Sequence, residues 1–119
     1  DIISAASRIR DGHDIVVASN KQEFLLKKSQ EFFREVGLNI NYPIIIGVFE
    51  EKTILGLARN GEIILSTQVF DMGLKKVIAV IMEESFHLES SCEDETREFQ
   101  DYLIFQIITL LENKKGIFL

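Results

Sequence analysis

Cysteine, long apolar runs, basic clusters and histidine are all scarce in this sequence, and each scarcity excludes something. The single cysteine, Cys92, cannot form an internal disulfide, so a reducing cytoplasm is the expected setting. The apolar runs, among them residues 44–46 and the longest, 77–82, fall far short of the ~18 residues a membrane span needs. No secretory signal pattern opens the sequence. Adjacent lysines come in nothing larger than pairs, Lys27-Lys28, Lys75-Lys76 and Lys114-Lys115, whereas phosphate contacts need clustered Lys and Arg. Neither a nucleic-acid nor a membrane partner is therefore expected. His13 and His87 are the only histidines, and no Ser/His/Asp triad is legible. No glycine-rich phosphate-binding loop is present either.

What is present describes one globular domain. The chain has 119 residues, 46% of them hydrophobic and 27% charged. That is enough to bury a core without disulfide or metal staples. It begins with Asp1, so it is expected to be a piece of a longer protein. The net charge is −6 and is unevenly placed. Residues 83–101 hold eight acids against Arg97 alone, which leaves the rest close to neutral. An acidic run is ordinarily a solvated face, unless its spacing says otherwise.

Local patterns divide the chain into elements. Residues 2–10 suggest a short helix, followed by a turn at Asp11-Gly12. Residues 15–18 are β-branched and read as a short strand. Ser19 or Asn20 caps a helix that runs to about Val36, with Phe24, Leu25, Phe32, Phe33 and Val36 at helical spacing. Gly37 stops it. Residues 44–49, 53–58 and 62–66 read as three strands of an antiparallel meander. Asn60-Gly61 between the last two is a strong hairpin signal, because both residues tolerate positive φ. Gly56 marks either a bulge or a close approach by another segment.

Residues 68–72 suggest a short turn. Residues 74–88 form a helix with Leu74, Val77, Ile78, Ile81, Ser85 and Leu88 on one face. A final helix is expected from about 94 to 112, with Phe99, Leu103, Ile107 and Leu110 on one stripe. Ser90 with Glu93, or Ser91 with Asp94, has the spacing of a capping box for it. Gly116 ends the helical material. The fold class is α+β: an antiparallel sheet of three or four strands with helices packed on one face. Residues 1–18 form an N-terminal segment whose packing the sequence leaves open, and 19–119 form the domain.

The most informative stretch is Ile81-Met82-Glu83-Glu84-Ser85-Phe86-His87-Leu88. Glu83 and His87 are i, i+4 and share one helix face, and Glu84 lies beside them. Ionisable groups in so apolar a helix need partners. The spacing is that of the zincin motif His-Glu-x-x-His, with Glu83 in place of the first histidine. In that motif two histidines hold zinc and the glutamate polarises the attacking water. A carboxylate can also ligate zinc. By this analogy Glu83 and His87 are candidate zinc ligands and Glu84 a candidate general base. Asp94 is the first choice for a third ligand, and Glu98 the second.

Here the sequence resembles a family. The order helix, antiparallel strands, motif helix, second helix resembles a minimal gluzincin-type zincin domain over roughly residues 20–112. Ile54-Leu55-Gly56-Leu57-Ala58 and Gly61-Glu62-Ile63-Ile64-Leu65-Ser66 resemble its strand pair ahead of the motif helix. Glu83-Glu84-x-x-His87, followed by Asp94-x-Thr96-Arg97-x-Phe99-Gln100, is similar to degenerate zincin-like domains found C-terminal to gyrase/histidine-kinase/heat-shock type ATPases of bacteria and phage. The resemblance implies a zincin-like fold. Its departure at the first ligand implies a non-catalytic or regulatory module of a larger bacterial ATPase-containing protein, whose partner is the rest of that chain or another protein.

The alternative is a zinc-dependent, peptidase-like hydrolase. In it Glu83, His87 and Asp94 hold the metal, and Glu84 acts as general base on a bound water whose pKa the metal lowers to ~7. Each residue also has a plainer reading. His87 can be a core or helix-end histidine paired with Glu83 or Glu84. Asp94 can cap a helix start. Arg97 can pair with Glu93, Asp94 or Asp101. Phe99, Tyr102 and Phe105 read as core. Cys92 reads as a small linker residue or a soft metal ligand, and His13 as a turn residue.

Overall fold

The computed structural model describes residues 9–10, 13–91 and 96–117. Among the described residues five strands and three α-helices follow one another: β1 (Ile9–Arg10), β2 (His13–Val16), α1 (Asn20–Val36), β3 (Ile44–Phe49), β4 (Gly56–Arg59), β5 (Glu62–Ser66), a 3-10 turn (Thr67–Asp71), α2 (Leu74–Ser90) and α3 (Arg97–Lys115). The α+β class holds. Ile9 and Arg10 pair with Asp14 and His13 as a strand, where the sequence suggested helix. Residues 1–8 and the expected turn at 11–12 lie outside the described residues.

Local chemistry places most boundaries. Ser19 caps α1 through a reciprocal box: its Oγ accepts from the Gln22 amide at 3.2 Å, and Gln22 Oε1 accepts from the Ser19 amide at 2.9 Å. Gly37 ends the helix at φ 81°, a left-handed conformation that costs glycine little. Asn60 at φ 53° and Gly61 at φ 73° turn β4 tightly into β5.

The sheet order is β1-β2-β3-β5-β4, and β3 runs parallel to β5, with Ile46 opposite Leu65. The sheet is therefore mixed, not the antiparallel meander expected. The hairpin is as anticipated, but it is inserted the other way round. Ile63, Ile64 and Leu65 are fully buried and apolar on both faces, so β5 takes the interior. β4 is half-exposed throughout and takes the edge. The link from β3 crosses the end of β5, where the Ser66 amide donates to the Leu55 carbonyl at 2.9 Å.

Ile46, Ile63 and Leu65 present one face of the sheet to α2 and the 3-10 turn. Val77, Val80 and Ile81 of α2, Val69 and Phe70 of the turn and Phe33 of α1 complete that core. α2 lies closest to β4, and α1 packs on α2. Gly56 permits the contact with β4. A Cβ there would lie 2.5 Å from Val80 Cγ1 and 3.2 Å from Glu84 Cγ. Of the two readings of Gly56, close approach is the one found.

α3 begins at Thr96, whose Oγ1 accepts from the Phe99 amide at 3.1 Å. The N-cap is thus Thr96, not Ser90 or Ser91. Ser90 ends α2, and Ser91 caps it at φ 57° with its amide on the His87 carbonyl. Gly116, at φ 69°, ends α3 as expected. Of the stripe expected to face inward, Phe99 is buried and Leu103 and Leu110 are half-buried, but Ile107 is exposed. Phe105, expected in the core, is exposed as well. α3 packs against α2 alone to any extent, and the molecule measures 53 × 30 × 23 Å.

Candidate functional site

The motif residues lie in the second half of α2, where it meets the start of α3. Helical phase separates them. Glu83 faces solvent, and Glu84 is half-buried. A Cβ on Gly56 would come within 3.4 Å of Glu84 Oε2, so this carboxylate sits against the edge strand. Ser85, one residue on, is fully buried, and its Oγ has no hydrogen-bond partner among the described residues.

His87 is half-buried, with Nε2 out of contact with solvent. Its ring lies flat on that of Phe99, the centroids 3.8 Å apart and the planes 12° from parallel. Beside this stack, Phe86 and Tyr102 meet edge to face at 5.7 Å. Two consecutive residues of α2 thus hold two aromatic side chains of the first turns of α3. The edge-to-face pair contributes about 0.5–1.5 kcal/mol beyond the area it buries.

A polar lock closes the joint. The Tyr102 hydroxyl donates to Glu89 Oε2 from the last turn of α2. Burial, and then the hydrogen bond to the Glu89 carboxylate and its charge, hold the Tyr102 phenol well above its ordinary range. Tyr42, from the segment leading into β3, is pushed the same way by burial and by the charge of Glu89. Both tyrosines stay neutral, and the exposed Glu89 carboxylate has the Tyr102 phenol as a donor. Nothing in the sequence pattern pointed to this trio, because Tyr42 lies far from the motif along the chain. Tyr102 was expected in the core, and its ring is partly there, but its hydroxyl serves the carboxylate.

The structure gives a mixed account of the proposed zinc set. Glu83 and His87 share α2, Glu83 exposed and His87 packed on Phe99. Asp94 and Cys92 lie outside the described residues, and Glu98, the second choice for a third ligand, is exposed on α3. Among the described residues no group of three or more His, Cys, Asp or Glu side chains could hold a metal ion. Zinc sites take three or four protein ligands, so the described side chains do not by themselves fit one. His13 is in β2, paired with Phe49. Arg97 is exposed. Among the described residues no helix is long and apolar enough to cross a membrane.

Comparison with protein-family models, with curated proteins and with solved structures finds no match for this chain.

Proposed function

We propose that this chain is a non-catalytic, zincin-like module that serves a larger bacterial ATPase-containing protein through contact or regulation. One observation carries the non-catalytic part. The motif histidine lies face to face with Phe99, which makes it a packing element between α2 and α3. Glu83 stands in solvent and Glu84 lies along β4, so the two motif carboxylates point to different surroundings. The association with an ATPase rests on the sequence resemblance alone.

Zinc content and melting of the chain test this reading, using wild type, His87→Ala and His87→Phe. The expected result is no zinc after incubation, a lower melting temperature for His87→Ala, and His87→Phe close to wild type. Phenylalanine keeps the stack and cannot ligate. One equivalent of zinc, lost from both variants, with peptide hydrolysis abolished by Glu84→Gln, would overturn it in favour of the hydrolase.

A further inference from the structure

α3 carries apolar residues on both sides. Phe99, Tyr102, Leu103 and Leu110 turn toward α2, while Ile104 (54% exposed), Phe105 (65%), Ile107 (56%) and Leu111 (56%) turn away from it. A helix apolar on two sides is made to be covered on both. Along that side run Asp101, Ile104, the half-buried Ile108, Leu111 and Lys115, alternating steps of three and four residues, with the exposed Phe105 and Ile107 flanking them. That is the heptad spacing of a helix that packs along a partner helix. Ile104, Phe105, Ile107 and Leu111 together expose on the order of 500 Å² of apolar surface, the size of the largest patch on a typical monomer, which is often an interaction site.

We propose that α3 pairs with α3 of a second copy of this chain, antiparallel, outward stripe against outward stripe. Charge selects both the occupant and the direction. The start of the helix carries Glu98 and Asp101 against Arg97 and is net acidic, and its end carries Lys114 and Lys115 against Glu112 and is net basic. A parallel pair would set acid on acid and lysine on lysine. An antiparallel pair sets each acidic start on a basic end.

The groove beside the stripe agrees. An open cavity of about 1240 Å³ lies between the end of α1, the start of α2 and the end of α3. Leu111 lines it as well as the stripe, so the two form one apolar surface. Its charged lining is Arg34, Lys75 and Lys114 against Glu35 alone. In the antiparallel pair, the acidic start of the partner's helix arrives at this basic rim.

Sedimentation velocity of the chain, from low micromolar to a few hundred micromolar, reads the outcome. The expected result is a monomer–dimer equilibrium. Ile104→Glu with Leu111→Glu, and the milder Phe105→Ser, each raise the dimer Kd about tenfold or more while the circular dichroism spectrum stays unchanged. Lys114→Glu with Lys115→Glu also weakens the dimer, and adding Glu98→Lys and Asp101→Lys to the same chain restores it. A monomer at every concentration overturns the proposal, as does open-ended aggregation or a dimer indifferent to the stripe. A dimer untouched by the lysine reversal, or not restored by the double reversal, overturns the antiparallel arrangement.

Discussion

A methyl group on Gly56 would sit 2.5 Å from Val80 Cγ1, closer than real side chains come. Neither atom can yield easily: one belongs to a strand backbone and the other to a stiff, β-branched core residue. Gly56→Ala is therefore expected to destabilise the fold by about 1–3 kcal/mol, as overpacking does. A urea midpoint equal to wild type would show that α2 is free to move off β4. At the α2–α3 joint, the phenols titrate above their ordinary pKa of ~10. A raised acid binds its proton more tightly in the folded state, so its contribution is complete below pH ~10 and is lost as pH rises beyond that. Stability should thus fall on the alkaline side, and Tyr102→Phe should flatten the fall. Melting temperatures of the two proteins from pH 8 upward check this. A parallel decline in both would place the titrating group elsewhere.

Among the elements, α3 depends most on its ends. The Thr96 hydroxyl holds its first turn by accepting from the Phe99 amide, and Gly116 closes its last. Thr96→Ala should cost about 1 kcal/mol. Because the lost turn carries Phe99, the change should also disturb the His87 stack, visible as a shift of the His87 ring resonances. The expected capping boxes at Ser90 and Ser91 missed this cap, although the signal was local: a threonine directly before Arg97-Glu98. The strands tell the opposite story. Residues 44–49 and 62–66 were legible to the residue, because their β-branched runs are bounded by turn chemistry. Which of β4 and β5 lies next to β3 was not legible, since a hairpin looks the same from either side. Full burial of Ile63, Ile64 and Leu65 decides it.

For the whole molecule, the radius of gyration is 15.5 Å, against roughly 13–14 Å for a compact domain of this length. The excess reflects a sheet and two helices around one core, with α3 attached to α2 by a short aromatic joint. Hydrogen exchange should follow that division. Amides of β5 and the middle of α2 should exchange slowest, and those of the second half of α3 fastest of the three helices at low concentration. Slow exchange in α3 of the dilute monomer would mean that it packs more closely than its exposed Ile104, Phe105, Ile107 and Leu111 allow.

By itself the sequence determined what short-range chemistry can determine. It set a cap at Ser19 or Asn20, the stops at Gly37 and Gly116, the turn at Asn60-Gly61 and the α+β class, and it left Gly56 between a bulge and a close approach. It also placed Glu83, Glu84 and His87 on one helix, because helical spacing alone does that. Only the tertiary structure decided which way each of them faces. It turned Glu84 to the edge strand and His87 onto Phe99, left Ile107 and Phe105 in solvent, and brought Tyr42 and Tyr102 to one carboxylate. Those outcomes depend on how α3 docks on α2. Docking is settled by the fit of surfaces far apart in the chain, and periodicity cannot distinguish a helix side that meets its own core from one that meets a partner.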